Sequence, residues 1–126
     1  MTTGKRALIV DDSRSARVIL SRMLEQQGMT VDTAESAEQA LEYLQRSRPD
    51  VIFMDHLMPG MDGFEVIERI HADPRLHDLT IIMLASDRWA DDIAKTYDLG
   101  LGGYLVKPIR RSDLQQTISI ALGRSK

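Results

Sequence analysis

Three aspartates and one lysine follow short apolar runs of this 126-residue chain within one or two positions: Asp11, Asp12, Asp55 and Lys107. Carboxylates that lie close together repel one another unless a positive charge lies among them. Hard oxygen ligands of this kind suit Mg²⁺, and such a cation keeps a carboxylate ionised as a nucleophile. If the fold gathers these side chains, we expect phosphoryl transfer to Asp55, with Lys107 as a second positive charge.

The apolar runs that precede these residues have the pattern of strands that are buried on both faces. They lie at 7–10, 29–34, 51–54, 81–84 and 104–106, and several are apolar at consecutive positions. Consecutive apolar residues are typical of parallel strands that helices cover on both sides. The runs therefore predict a parallel sheet.

Helical patterns alternate with the runs, at 14–27, 36–45, 62 to just before Pro74, 88–99 and 112–122. Gly28 has the position of a C-cap for the first helix, and Ser36 and Gln39 have the spacing of a capping box. The apolar face predicted for the first helix consists of Ala16, Ile19, Leu20, Met23 and Leu24. Strict alternation of strand and helix predicts an α/β fold with helices on both faces of the sheet.

The predicted sheet would bring the four chemical residues together. Ligands of parallel α/β sheets bind beyond the carboxyl ends of the strands. Asp11 and Asp12 follow the first run, Asp55 ends the third and Lys107 follows the fifth. Alone, each aspartate would be read as a helix N-cap and Lys107 as a surface charge. Their shared position on one rim favours a functional site.

Composition excludes several other classes of protein. The formal net charge of −3 offers no basic field for nucleic acid, and the absence of cysteine excludes disulfides and thiolate metal sites. The apolar run at 7–10 is too short for a signal-peptide core or a membrane span. We expect one cytoplasmic domain, 1–126 with a core of about 5–122, that contacts neither nucleic acid nor membrane directly.

Three segments resemble the receiver domain of response regulators in two-component systems: IVDDS (9–13), MDHLMPGMDG (54–63) and GYLVKPI (103–109). The resemblance covers essentially the whole chain in order, and the middle segment is the most specific. It implies a single-domain (βα)5 three-layer sandwich with the flavodoxin-like strand order 2-1-3-4-5.

The resemblance also implies a role for each site residue. Asp55 would be the phosphoacceptor, and Lys107 would contact the phosphoryl oxygens. Asp12 and Asp55 would ligate Mg²⁺ directly together with the backbone carbonyl of Leu57, whereas Asp11 would act mainly through water.

One position departs from the family pattern, at the end of the fourth run. The family usually has Thr or Ser there, whereas this chain has Ala85 followed by Ser86. Because strand side chains alternate between faces, Ser86 would point the wrong way unless a bulge shifts it. Tyr104 stands where such domains place a switching aromatic, and a half-buried strand tyrosine is an equally good interpretation.

The function implied is that of a signalling phosphoacceptor, not of an enzyme with an external metabolite. A phosphoryl group would pass from the phosphohistidine of a histidine kinase or a histidine phosphotransfer domain to Asp55. The surface formed by the fourth helix, the fifth strand and the fifth helix would then switch, and a downstream protein or output domain would read it. The domain would accelerate only its own phosphotransfer and dephosphorylation, as a monomer or weak homodimer.

Three alternatives were weighed against this interpretation. A flavodoxin-like cofactor carrier would need Ser, Thr and Gly amides where Asp11 and Asp12 would repel phosphate. A phosphohydrolase with an Asp nucleophile after its first strand would need a second Asp two residues on and a cap domain. A phosphorylation-independent pseudo-receiver, acting as a protein-interaction module, is the alternative that Ala85 supports.

Overall fold

The computed structural model describes residues 4–55, 63–76, 79–85, 103–106 and 109–123, with only the backbone described at 64, 85, 104, 121 and 122. Strands β1 (Arg6–Val10), β2 (Thr30–Ala34), β3 (Val51–Asp55), β4 (Thr80–Ala85) and β5 (Gly103–Val106) alternate with helices α1 (Arg14–Glu25), α2 (Ala37–Arg46), α3 (Gly63–Ala72) and α4 (Arg111–Gly123). Helix α4 is the last of the helices that the sequence predicts, and the predicted helix at 88–99 lies outside the described residues.

The strands form one parallel sheet in the order β2-β1-β3-β4-β5, which confirms the predicted fold class. The order reverses between β1 and β3, so the chain leaves the centre of the sheet in opposite directions from these two strands. In doubly wound sheets the crevice at this reversal is where ligands bind. The fold therefore places its crevice beside the residues that follow β1 and β3.

Both faces of the sheet carry an apolar cluster, because successive strand residues point to opposite sides. The cluster under α2 and α3 contains the strand residues Leu8, Val10, Ile52, Met54, Ile81 and Met83. The cluster under α1 and α4 contains the strand residues Ala7, Ile9, Val51, Phe53, Ile82, Leu84 and Leu105. Burial on both faces explains why the runs are apolar at consecutive positions.

Helix α1 ends in a Schellman motif at Gly28, as the sequence predicts. Gly28 has a left-handed φ of 84°. Its N–H donates to the carbonyl of Glu25 at 2.9 Å, and the N–H of Met29 donates to the carbonyl of Leu24 at 3.2 Å. Both Met29 and Leu24 are buried, which adds the apolar contact that accompanies this motif.

The buried face of α1 differs from the predicted one at Ile19. The side chain was expected to face the core, but the residue is 60% exposed, and that prediction is wrong. The buried stripe runs instead through Leu20 and Leu24, and Arg17 lies three residues before Leu20 on the same side of the helix. A helix resting on a sheet buries a limited stripe, and here Arg17 occupies part of it.

Helix α2 begins at the predicted Ser36 cap. The Ser36 hydroxyl accepts a hydrogen bond from the Gln39 N–H at 3.2 Å, and the Gln39 side chain accepts one from the Glu35 N–H at 2.9 Å. Farther along the helix, the Tyr43 hydroxyl donates to the Asp32 carboxylate of β2 at 2.7 Å. Burial, reinforced by this hydrogen bond, raises the pKa of Tyr43.

Among the described helices, none combines the length and apolar character needed to cross a membrane.

Candidate metal centre at the carboxyl ends of β1 and β3

The acidic residues come together because β1 and β3 are neighbours in the sheet. Val10 lies beside Met54 in the parallel register, so the next residues along the two strands are Asp11 and Asp55. One carboxylate oxygen from each of Asp11, Asp12 and Asp55 lies within 4.8 Å of the others. Residues 44 positions apart in the sequence thus share one cluster at the crevice of the sheet.

The three carboxylates differ in their contact with solvent. Asp11 is 1% exposed and Asp55 is 7% exposed, whereas Asp12 is classed as exposed. Two buried carboxylates next to a third are unfavourable when all are ionised, because burial removes hydration and the like charges repel. A divalent cation would offset both costs. Oxygen ligands with one side open to water and substrate fit such an ion, so the cluster could hold a metal.

The turn that carries Asp11 and Asp12 is fixed by hydrogen bonds from several directions. The Asp11 N–H donates to the Ala34 carbonyl at the end of β2 at 3.2 Å. The Asp11 carboxylate accepts from the Ser13 N–H at 2.9 Å. The Ser13 hydroxyl accepts in turn from the Ala16 N–H at 3.4 Å and so caps α1. The turn is therefore tied both to the sheet and to the helix that follows it.

A residue that the sequence analysis missed completes this arrangement. Arg17 Nη1 donates to the Asp11 carbonyl at 2.8 Å, and Arg17 Nη2 lies 3.6 Å from Glu35 Oε1. The Arg17 side chain is only 12% exposed, whereas that of Glu35 is 67% exposed. A signal is present in the sequence, since Arg17 has helical spacing to Leu20 and Leu24, but a pattern of apolar residues does not include an arginine.

The remaining predicted site residues are placed only in part. Ala85 is the last residue of β4, and its backbone lies beside that of Val106 in β5. Tyr104 of β5 lies beside Met83 of β4. Leu57, Ser86 and Lys107 lie outside the described residues, so the roles predicted for them stay predictions.

The fold and the cluster together define a doubly wound α/β protein. A group of carboxylates that could hold a cation lies at its topological switch point. The sequence profile of the response regulator receiver domain matches residues 7–119. The chain therefore belongs to the response regulator receiver domain family, as its motifs suggest.

Known proteins of this family resemble the chain in sequence and in structure. The transcriptional regulatory protein AfsQ1 of Streptomyces coelicolor is 36% identical over 119 residues, which cover 94% of this chain and 52% of AfsQ1. A putative response regulator from Chloroflexus aurantiacus superposes with a TM-score of 0.90 at 30% identity, covering 95% of this chain and 98% of its own. The chemotaxis response regulator CheY4 of Vibrio cholerae gives 0.86 at 33% identity, covering 94% and 99%. The chain spans about half the length of the curated transcriptional regulators that it matches.

Proposed function

We propose that this receiver domain accepts a phosphoryl group on Asp55 from the phosphohistidine of a histidine kinase or a histidine phosphotransfer domain. The observation that carries the proposal is the buried Asp55 carboxylate within 4.8 Å of Asp11 and Asp12 at the crevice of the sheet. A buried carboxylate in an acidic cluster is suited to act as a nucleophile once a cation balances its neighbours.

The transfer needs no reactant beyond the Asp55 carboxylate and the phosphohistidine. A carboxylate oxygen of Asp55 forms a bond to phosphorus while the bond from phosphorus to the histidine nitrogen breaks. The electron pair stays on the imidazole, and Asp55 becomes an acyl phosphate. Attack by water on the same phosphorus breaks its bond to the Asp55 oxygen, releases inorganic phosphate and regenerates the carboxylate. In both steps the domain would act only on its own phosphorylation and dephosphorylation.

Asp12 and Asp55 would hold Mg²⁺ directly with the Leu57 carbonyl, and Asp11 would hold it mainly through water. When bound, the ion neutralises charge on the phosphoryl oxygens. Lys107 would contact those oxygens from the other side. The carboxylate cluster supports this assignment because hard oxygen ligands suit Mg²⁺.

The output follows from the added charge. An acyl phosphate carries roughly two negative charges where the Asp55 carboxylate carried one, and this change can bias a two-state element. That element would be the surface of the predicted helix at 88–99, β5 and α4, with Tyr104 as the switching aromatic. Because Ala85 stands where the family has Thr or Ser, Ser86 would take over the hydroxyl contact or the coupling would be altered.

The cellular setting is proposed on the same basis. The domain, 1–126 with a core of about 5–122, would act in the cytoplasm as a monomer or weak homodimer. Its partner would be a downstream protein or an output domain, and AfsQ1, a transcriptional regulatory protein about twice as long as the matched region, supports this. The domain itself would not contact nucleic acid or membrane.

Intact-mass measurement after incubation with acetyl phosphate and Mg²⁺ tests the proposal. We expect a single phosphoryl adduct on the wild type that is lost in EDTA and in Asp55→Asn. Asp113→Asn is the matched control, because Asp113 is an exposed aspartate on α4. It should carry the same adduct as the wild type.

A folded, Mg²⁺-binding wild type that takes no phosphoryl group would contradict the proposal, provided that a phosphorylated histidine phosphotransfer protein also fails as the donor. That result would favour the pseudo-receiver, a module that binds its partner without phosphorylation.

A further inference from the structure

We propose that Arg17 is the positioning residue of the metal centre, holding the turn between β1 and α1 so that Asp11 and Asp12 face the cation. This inference rests on the proposed function, because it concerns the Mg²⁺ site of the same phosphoacceptor. Arg17 contacts neither the reacting atoms nor the cation, and acts through the backbone of Asp11.

The Arg17 guanidinium contacts two neighbouring turns. Its Nη1 donates a hydrogen bond to the Asp11 carbonyl at 2.8 Å, and its Nη2 lies 3.6 Å from the Glu35 carboxylate. Glu35 stands in the turn between β2 and α2, next to Ala34, whose carbonyl accepts the Asp11 N–H. Arg17 therefore ties the acidic turn to the neighbouring turn of the sheet.

The low exposure of the Arg17 side chain as a whole indicates that these contacts are specific. At 12% exposure the Arg17 side chain has lost most of its hydration, and a buried charge is tolerated only when it is paired and hydrogen-bonded. The planar fork of arginine can reach two partners at once, whereas the ammonium of lysine is a single point charge.

A hydrogen bond to the Asp11 carbonyl can fix the orientation of the peptide unit that leads to Asp12. The carbonyl belongs to the planar peptide unit that joins Asp11 to Asp12, so holding the oxygen holds the plane and the start of Asp12. Asp12 is the exposed member of the carboxylate cluster, so protein packing constrains it less than its two buried neighbours. Arg17 thus orients the ligand that the surroundings leave least constrained.

A simple charge effect would act in the opposite direction. The positive Arg17 repels a cation, so its removal would tighten Mg²⁺ binding. Loss of a residue that orients metal ligands weakens binding by about 10- to 100-fold. The sign of the change therefore distinguishes the two roles.

Isothermal titration with Mg²⁺ alone tests the proposal on the wild type, Arg17→Ala, Arg17→Lys and Glu35→Gln. We expect the Kd for Mg²⁺ to rise about tenfold in Arg17→Ala. Arg17→Lys should also bind more weakly although it keeps the charge, and Glu35→Gln should show a smaller rise. The control is Arg22→Ala, which removes an exposed arginine from the same helix and should leave the Kd unchanged.

Phosphorylation by acetyl phosphate supplies a second readout that simple destabilisation would not reproduce. In Arg17→Ala the Mg²⁺ concentration for half-maximal rate should rise with the Kd, while the rate at saturating Mg²⁺ returns close to that of the wild type.

An unchanged or lower Kd in folded Arg17→Ala would overturn the role of Arg17. Should that variant fail to fold, wild-type Kd values in both Arg17→Lys and Glu35→Gln would overturn it equally. A wild type that binds Mg²⁺ but takes no phosphoryl group would contradict the proposed function. The comparison of Kd values would then still test whether Arg17 positions the Mg²⁺ ligands. A wild type that binds no Mg²⁺ would contradict both.

Discussion

At the scale of single residues, the acidic cluster conflicts with the stability of the fold that carries it. Asp11 and Asp55 are buried, and their carboxylates approach a third within 4.8 Å. Such a group of like charges costs free energy in the metal-free protein. A bound cation would offset this cost, so the cost should be measurable when the cation is removed.

Replacing Asp55 by Asn should therefore stabilise the metal-free protein. The substitution removes one buried charge from the cluster and nearly keeps the shape of the side chain. In EDTA we expect the Tm of Asp55→Asn to rise by about 4 °C, which corresponds to about 1 kcal/mol for a domain of this size. Calorimetry of both proteins measures this difference, and it should shrink in Mg²⁺.

Glu68→Gln serves as the control, because it removes an exposed carboxylate in the middle of α3, away from the cluster. Its Tm in EDTA should equal that of the wild type. A lower Tm for Asp55→Asn than for the wild type would show that repulsion does not dominate at this position.

At the scale of elements, helix α1 links the site to the core. It begins at the Ser13 cap, directly after the acidic turn, and ends at the Schellman motif of Gly28. Arg17 reaches back from its second turn to the carbonyl of Asp11. Because the helix is capped at both ends and packed through Leu20 and Leu24, it restricts the movement of the acidic turn that precedes it.

The helix end provides a test that is independent of the metal. Gly28 has φ of 84°, where a Cβ atom is unfavourable. Gly28→Ala should lower the free energy of unfolding by about 1–2 kcal/mol. Gly28→Asn should cost less, because Asn adopts left-handed φ more readily than Ala. Urea denaturation measures both, and equal costs for Ala and Asn would show that φ is not the cause.

At the scale of the whole molecule, metal binding and folding should be linked. The carboxylates that could hold a metal come from residues 11–12 and 55, which only the folded sheet brings within 4.8 Å of one another. A ligand that binds only the folded state stabilises it by mass action. The same cluster that weakens the metal-free protein should therefore strengthen it when Mg²⁺ is present.

Thermal unfolding across a Mg²⁺ series tests this linkage. At 100 times its Kd, Mg²⁺ should add about 2.7 kcal/mol to the free energy of unfolding, and the Tm should rise by several degrees. Asp12→Asn should lose most of that gain, whereas Glu68→Gln, which changes an exposed acid on α3, should keep it. NaCl of equal ionic strength controls for screening. An equal gain in Asp12→Asn would place the bound ion elsewhere.

The alternation of strands and helices, the caps at Ser36 and Gly28, and the family could all be predicted from the sequence. These features depend on local patterns: apolar runs bounded by turns, a hydroxyl before a helix, and a glycine after one. Three aspartates at strand ends were also visible, because their positions follow directly from where the runs stop.

How these residues meet depends on contacts that form only in the folded protein. The fold buries Asp11 and Asp55 while leaving Asp12 exposed, turns Ile19 outward, and brings Arg17 to Asp11 and Glu35. The local pattern gives the period of a helix but not its rotation about its axis on the sheet. That rotation depends on contacts with residues distant in the chain, such as the one between Arg17 and Glu35, so the contacts of Arg17 beside the acidic cluster appear only once the strands are paired.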